Sequence, residues 1–270
     1  MIPAYLVNLD RSPDRLERMQ FEFFSRGVTQ FERVSAVDFS RPTEESRSDI
    51  DSMPSWGPWG PVTGHAKGCT LSHFKAYRAF LATQHPYAAI FEDDVFLSDD
   101  ISWWLRSHDW IPKGADIVKI ERWRDDRLLV AVARRSREWM GRKVIRFYSK
   151  HSGSAGYIIA RSAAESALRA HPIDVPIDHF LFHPNVSHFS RSLLKYQVQP
   201  ALCQQGNNEV VRQPNPGPRP AKSIRLKLTR GLAELKSLPI LGPRLLSGEA
   251  TLEAMKWAPT APNQKPFGDA

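Results

Sequence analysis

Tyr87-Ala88-Ala89-Ile90-Phe91-Glu92-Asp93-Asp94-Val95-Phe96-Leu97 is the stretch whose reading decides the fold. An apolar run enters three consecutive acids and apolar residues resume at once. A short, continuous apolar run of this kind predicts a strand buried on both faces, as in a parallel sheet. Glu92, Asp93 and Asp94 then stand at its carboxyl end, where open α/β sheets place their ligands. Three adjacent carboxylates repel one another, so an offsetting charge is required. Hard oxygen donors suit Mg²⁺ or Mn²⁺, and such ions usually accompany substrate phosphates. A solvated turn is the plainer alternative for an acidic triplet, but the apolar residues on both sides favour a site.

Working back to the N-terminus, Ala4 to Leu9 reads as a first strand. Ser12-Pro13 starts a helix, with Leu16, Met19 and Phe23 at helical spacing and Gly27 as its stop. Phe31 to Val37 reads as a second strand, which completes a parallel βαβ unit. The polar cluster Asn8-Leu9-Asp10-Arg11 then lies at the same sheet edge as Glu92 to Asp94. Asn8 or Asp10 is placed to reach a base or ribose and Arg11 a phosphate, with helix capping as the alternative. Asp38 to Gly64 reads as a long functional loop, a candidate lid carrying Trp56 and Trp59. Gly68 to His73 leads into a helix running to about Ala82, whose start, near Lys67, favours anions.

Downstream, Ile117 to Ile120 reads as a strand, and Leu128 to Ala133 with Lys143 to Tyr148 as a strand pair. Ser152-Gly153-Ser154-Ala155-Gly156 precedes an apolar strand, and Gly153 and Gly156 permit close backbone approach to a ligand. A helix follows from a Ser162 cap. Asp178 lies in the apolar frame Val-Pro-Ile-Asp-His-Phe-Leu-Phe, surroundings that suit a general base or acid. A helix cap is the competing reading.

Size permits one substantial core. Cys69 and Cys203 make no disulfide framework, which points to a reducing compartment. The first residues lack the features of a signal peptide, and no apolar run approaches the roughly 20 residues of a spanning helix. A cytoplasmic protein is expected, or one peripheral on the inner face of the membrane. Of the formal charge of +8, residues 219–244 carry +6: seven basic residues against Glu234. That charge sits in a tail without any nucleic-acid motif, so an anionic membrane surface is the expected partner and specific nucleic-acid binding is not. The expected organisation is a domain over 1–205, a linker over 206–222 and a basic amphipathic tail over 223–270.

With these pieces in order, the chain resembles glycosyltransferase family 25. The matching stretches are Val7 to Arg15, Gly68 to His73, Ile90 to Val95, Gly153 to Ile159 and Pro176 to Phe180. The resemblance implies a GT-A-like α/β fold, a Rossmann-type mixed sheet with flanking helices. It also implies a UDP-sugar donor, commonly UDP-galactose, and inverting transfer to a glycan or lipid-linked glycan. By position it places Asn8, Asp10 and Arg11 by the nucleotide. Asp94 becomes the metal ligand, with Glu92 as a second ligand, and Glu92 or Asp93 as a ribose contact. The cation is Mn²⁺ or Mg²⁺, and Asp178 is the base. Trp56, Trp59 and Trp123 are candidates for stacking on a sugar ring. The chain departs from the family at Ala66, where a Glu is usual, which bears on donor preference. Two alternatives are a nucleotide-sugar hydrolase with the same metal site and a non-catalytic glycan- or nucleotide-binding module.

Overall fold

The computed structural model describes residues 1–123, 128–170, 172–206 and 224–261. The first strand, Ala4–Asn8, is buried along its whole length. It pairs in parallel with Glu32–Ser35 on one side and with Tyr87–Glu92 on the other, Val7 standing opposite Glu92. The connecting helix Pro13–Ser25 has Ser12 as its N-cap residue and proline at its first turn, and Gly27 beyond its end has φ +75°. The βαβ unit expected from the sequence is therefore present, and the acidic triplet lies at the carboxyl end of the parallel strand Tyr87–Glu92 beside it.

Beyond Tyr87–Glu92 the sheet becomes mixed. Gly156–Ala160 runs antiparallel to it, followed in space by Ile117–Lys119, Lys195–Gln199, Arg142–Phe147, Leu129–Trp139 and Ala250–Ala254, nine strands in all among the described residues. A smaller sheet of Val95–Leu97, Cys203–Gln205 and Glu121–Arg122 continues past the acidic turn. The architecture is the GT-A-like mixed α/β sheet.

Alternation along the inner strands gives the sheet two apolar faces. Tyr5 and Ile90 meet Phe74, Tyr77 and Phe80 of the helix Gly64–Leu81 on one face. Leu6 and Phe91 meet Met19 and Phe23 of the first helix and Trp104 on the other. Phe23 is fully buried and packs edge-on to Phe91 at 5.3 Å between centroids. Removing such a ring costs about 3–5 kcal/mol. These two packed layers fix the strand that carries the acids.

The structure departs from the sequence expectations in four places, one being that Ser162 lies inside the helix Arg161–Arg169, whose N-cap residue is Ala160. Residues 38–64 contain a helix, Glu44–Ser52, capped by the Thr43 hydroxyl, and a small hairpin of Trp56–Gly57 with Gly60–Pro61. The next helix begins at Gly64, capped by Thr63, so Gly68 to His73 sit within it and not at its start. Finally, residues 224–261 do not form a tail set apart from the domain. Helices Ile224–Leu235 and Leu238–Leu246 lead into Ala250–Ala254, which pairs with Leu129 to Ala133 at the sheet edge. Ala233, Ala250, Met255 and Ala261 are buried, and that apolar burial holds the segment in place. The expected linker lies outside the described residues beyond Gly206, as do Arg219, Lys222 and Ser223.

Candidate active site

A cavity of about 350 Å³ opens at the carboxyl ends of the parallel strands. Arg11, Glu92, Asp93, Asp94, Trp123, Gly153 and Asp178, from segments far apart in the chain, all line it. Each of the three acids has a different setting. Asp93 Oδ2 accepts from Asn8 Nδ2 at 2.8 Å, and its Oδ1 accepts from Arg15 at 2.9 Å. Arg18 fixes the turn from below, donating to the carbonyls of Asp93 and Val95 at 2.9 Å each. Asp94 accepts from Gln205 Nε2 at 2.9 Å, and its carbonyl accepts from the Gly206 amide.

Glu92 Oε1 accepts from Ser154 Oγ at 2.7 Å and lies 3.3 Å from His73 Nε2. The other imidazole nitrogen is 2.8 Å from the Tyr157 hydroxyl, which is in turn 2.5 Å from that of Tyr77. A chain of polar groups thus runs from the core to the cavity wall. Cys69, one helical turn before His73, lines the cavity too. Its sulfur, a His73 ring nitrogen and a Glu92 oxygen all lie within 4.8 Å of one another.

Electrostatics distinguish the acids further. Burial raises the Glu92 carboxyl, but the His73 and Ser154 bonds outweigh it and the net shift is downward. Burial raises Asp93 despite Arg15 and Asn8. Asp94 is pushed up to about 7, by burial first and by the charge of Glu92 second, and the nearby Arg15 does not reverse this.

Family resemblance implies a divalent cation here, and the donor set fits one. Glu92 and Asp94 offer hard oxygen donors at one cavity, and a cation would relieve the burial that raises Asp94.

Asp178 sits across the cavity, in the first turn of the helix Ile177–Phe182. Pro176, not Asp178, is the N-cap residue of that helix. One oxygen of Asp178 accepts from the His179 amide at 2.8 Å and the other from the Gly153 amide at 3.5 Å. Gly153 has φ +82°, and a Cβ there would fall 2.3 Å from a Glu121 oxygen. Beneath it, Lys119 donates to both Glu121 and the Gly153 carbonyl at 2.7 Å, a fully buried pair that pins the loop. The glycine is required by this packing.

Several expected residues are not cavity residues. Asn8 is buried beneath Asp93 and also receives a bond from Arg33. Asp10 faces Arg33 and Ser35 at the surface, and their bonds, Ser35 first, hold its carboxyl below its ordinary range. Gly156 is small because Cys203 Sγ would meet its Cβ at 2.3 Å. Lys67 donates to the carbonyls of Ile50 and Met53 and so ties down the loop before its helix. Of the tryptophans, Trp123 lines the cavity, Trp56 is exposed, and Trp59 packs on His179 and His183. Arg11 does reach the cavity and pairs with Asp38 at 2.6 Å.

Sequence reasoning missed Arg15, Asp38, Ser154 and Gln205. Arg15 lies in the first turn of the helix Pro13–Ser25, and its partner Asp93 is 78 residues away, so the pairing left no local signal.

A sequence description of glycosyltransferase family 25 (LPS biosynthesis protein) matches residues 1–181, two-thirds of the chain, and the matched span holds every carboxylate that lines the cavity. The chain belongs to glycosyltransferase family 25. It is therefore a glycosyltransferase.

Relatives in the family include the lipooligosaccharide biosynthesis protein lic2B of Haemophilus influenzae, 27% identical over 206 residues, covering 74% of this chain and 75% of the relative. The lacto-N-neotetraose biosynthesis glycosyltransferase LgtE of Neisseria gonorrhoeae is 27% identical over 221 residues, covering 74% and 73%. Procollagen galactosyltransferase 1-A of Xenopus laevis is also 27% identical, over 219 residues, with 74% of this chain and 35% of that longer protein covered.

Proposed function

We propose that this family 25 enzyme transfers a hexosyl group, galactose by analogy with its relatives, from a UDP-sugar to a hydroxyl of a surface glycan, with inversion. The observation that carries the reading is the convergence of Glu92, Asp93 and Asp94 with Arg11 and Asp178 on one cavity. Glu92 and Asp94 would hold Mn²⁺ or Mg²⁺, which supplies positive charge to a diphosphate leaving group.

The chain's own residues supply the rest. Asn8 and Arg15 fix the Asp93 carboxylate at the cavity wall, where it meets the ribose or a cation-bound water. Arg11, paired through Nε with Asp38, would offer its remaining guanidinium N–H groups to the phosphates. Asp178 faces the acceptor and takes the proton of the attacking hydroxyl. Its second oxygen has only long contacts, the Gly153 amide at 3.5 Å and His179 Nε2 at 3.9 Å, and would take that proton. Trp123 offers an aromatic wall for a sugar ring.

Attachment at an anionic membrane completes the reading. Eight large apolar side chains of the helices at 224–246 are exposed, Ile224, Leu228, Leu232, Leu235, Leu238, Ile240, Leu245 and Leu246, and lysines 227 and 236 accompany them. Such a face, basic and apolar together, suits the interface of a bilayer carrying anionic lipid. No helix among the described residues is long and apolar enough to cross a membrane. The catalytic site would rest within residues 1–205, with the helices at 224–246 as the attachment surface of the same domain.

The test is metal-dependent release of UDP from a panel of UDP-sugars, with and without a lipooligosaccharide acceptor. Acceptor-dependent release that Asp94→Ala abolishes is expected. Near-normal transfer by a folded Asp94→Ala protein defeats the assignment, and acceptor-independent release of free sugar favours hydrolysis instead.

A further inference from the structure

We propose that Cys69, His73 and Glu92 form a second cation site, suited to a thiophilic ion such as Zn²⁺, with its remaining coordination position open to the cavity. The three donor atoms come from two neighbouring elements. Cys69 and His73 are four residues apart on one helix and so share a face. Glu92 ends the strand against which that face packs. Tetrahedral zinc holds its sulfur, nitrogen and oxygen ligands roughly 3.3–3.7 Å from one another, given bonds of about 2.0–2.3 Å. His73 Nε2 and Glu92 Oε1, at 3.3 Å, already meet that spacing. The thiol lies within 4.8 Å of both, at most about 1 Å beyond that spacing, which a change of the Cys69 rotamer would have to close.

The surroundings resemble the outer shell of a built metal site. His73 is completely buried, and its Nδ1 meets the Tyr157 hydroxyl at 2.8 Å. Ion binding moves the imidazole proton from Nε2, where it bonds Glu92, to Nδ1, where it is donated to the Tyr157 hydroxyl, and frees the Nε2 lone pair for the ion. An imidazole ligand is usually oriented in this way, by a bond from its second nitrogen. Glu92 is held in turn by Ser154 at 2.7 Å. Because Cys69 and Glu92 line the cavity, an ion has a route in and a position left for water or substrate. On binding, the thiol proton leaves to solvent and the ion is held by thiolate, imidazole and carboxylate. That mixture disfavours Mg²⁺ and Mn²⁺, which prefer the oxygens of Asp94 and Glu92. The two sites share Glu92, so zinc at the first withdraws a donor from the second. Inhibition by Zn²⁺ under saturating Mg²⁺ follows. This last consequence rests on the metal assignment under Proposed function, whereas the site itself does not.

The experiment titrates the full chain with Co²⁺, the spectroscopic substitute for zinc. A thiolate-to-cobalt charge-transfer band in the near ultraviolet is expected, saturating at one ion per chain and displaced by Zn²⁺. Cys69→Ser should remove the band and Asp94→Ala should leave it. In parallel, Zn²⁺ and not Mg²⁺ should slow alkylation of Cys69, read by mass spectrometry with the fully buried Cys203 as internal reference. Absence of the band from the native chain, its survival in Cys69→Ser, its loss in Asp94→Ala, or alkylation indifferent to Zn²⁺ overturns the site. Loss of sugar transfer without any of these outcomes bears on the catalytic assignment alone.

Discussion

Replacing Asn8 by Asp changes one atom's chemistry and almost nothing of its shape. In the native chain Asn8 is buried and its Nδ2 donates to Asp93 Oδ2 at 2.8 Å. Asn8→Asp puts a second carboxyl oxygen at that distance. Two full charges so placed repel by about 6 kcal/mol at an effective dielectric of 20. The pair avoids part of this by keeping a proton, which at pH 7 costs roughly 4 kcal/mol against an ordinary carboxyl near pH 4. Arg15, 2.9 Å from Asp93, and Arg33, 3.0 Å from Asn8, offset some of it. A loss of about 2–4 kcal/mol at pH 7 is therefore expected. The pH dependence carries the sharper test. The folded pair binds its proton more tightly than the unfolded chain does, so stability of the variant falls as pH rises. Urea unfolding of both proteins from pH 5 to pH 8 should show the gap widening by up to about 1.4 kcal/mol per pH unit. A gap that is constant across that range, or below about 1 kcal/mol at pH 7, would refute the placement of Asn8 against Asp93.

Other substitutions test separate parts of the structure. Arg142, fully buried, forms a two-pronged pair with Asp100 at 2.7 and 2.8 Å, so Asp100→Ala should destabilise by about 3–5 kcal/mol in denaturant unfolding; a loss under 1 kcal/mol contradicts the pair. Gly153→Ala forces a Cβ into Glu121 at a left-handed φ, and should lower the transfer rate more than it lowers the melting temperature. An unchanged rate would show that the loop is not pinned as described. Burial, with His179 adding to it, depresses His183 to about 3. The unfolded chain then binds this proton more tightly, and the stability present above about pH 6.5 is lost as pH falls toward 3. His183→Leu should make that acid decline shallower, read as melting temperature against pH, and an unaltered slope disproves the neutral, buried histidine.

Local chemistry explains which parts were legible in the sequence. The βαβ unit announced itself because Ala4–Asn8 and Tyr87–Glu92 are buried on both faces and so contain no polar interruption. The acid triplet and Asp178 stood out as charges against apolar neighbours. Their supports did not, since Gln205 reaches Asp94 across 111 residues and Ser154 reaches Glu92 across 62. Asn8 and Asp10 looked equivalent as polar residues after a strand. The strand ends at Asn8, which is buried against Asp93, whereas Asp10 falls in the turn beyond it, where Arg33 and Ser35 hold it at the surface. Ala250–Ala254 has the composition of neither a strong strand nor a clear turn, and only the unpaired edge of Leu129 to Ala133 makes it a strand.

The ninth strand also bears on how the enzyme can be handled. A chain trimmed before Ile224 would lose its exposed leucines but would bare the amides and carbonyls of Leu129 to Ala133. A free edge of that kind invites pairing with another molecule. Shortening the protein to make it better behaved would exchange a sticky helix for a sticky strand. Polar replacements at Leu228, Leu232 and Leu246 keep the edge sealed while removing the greasy surface.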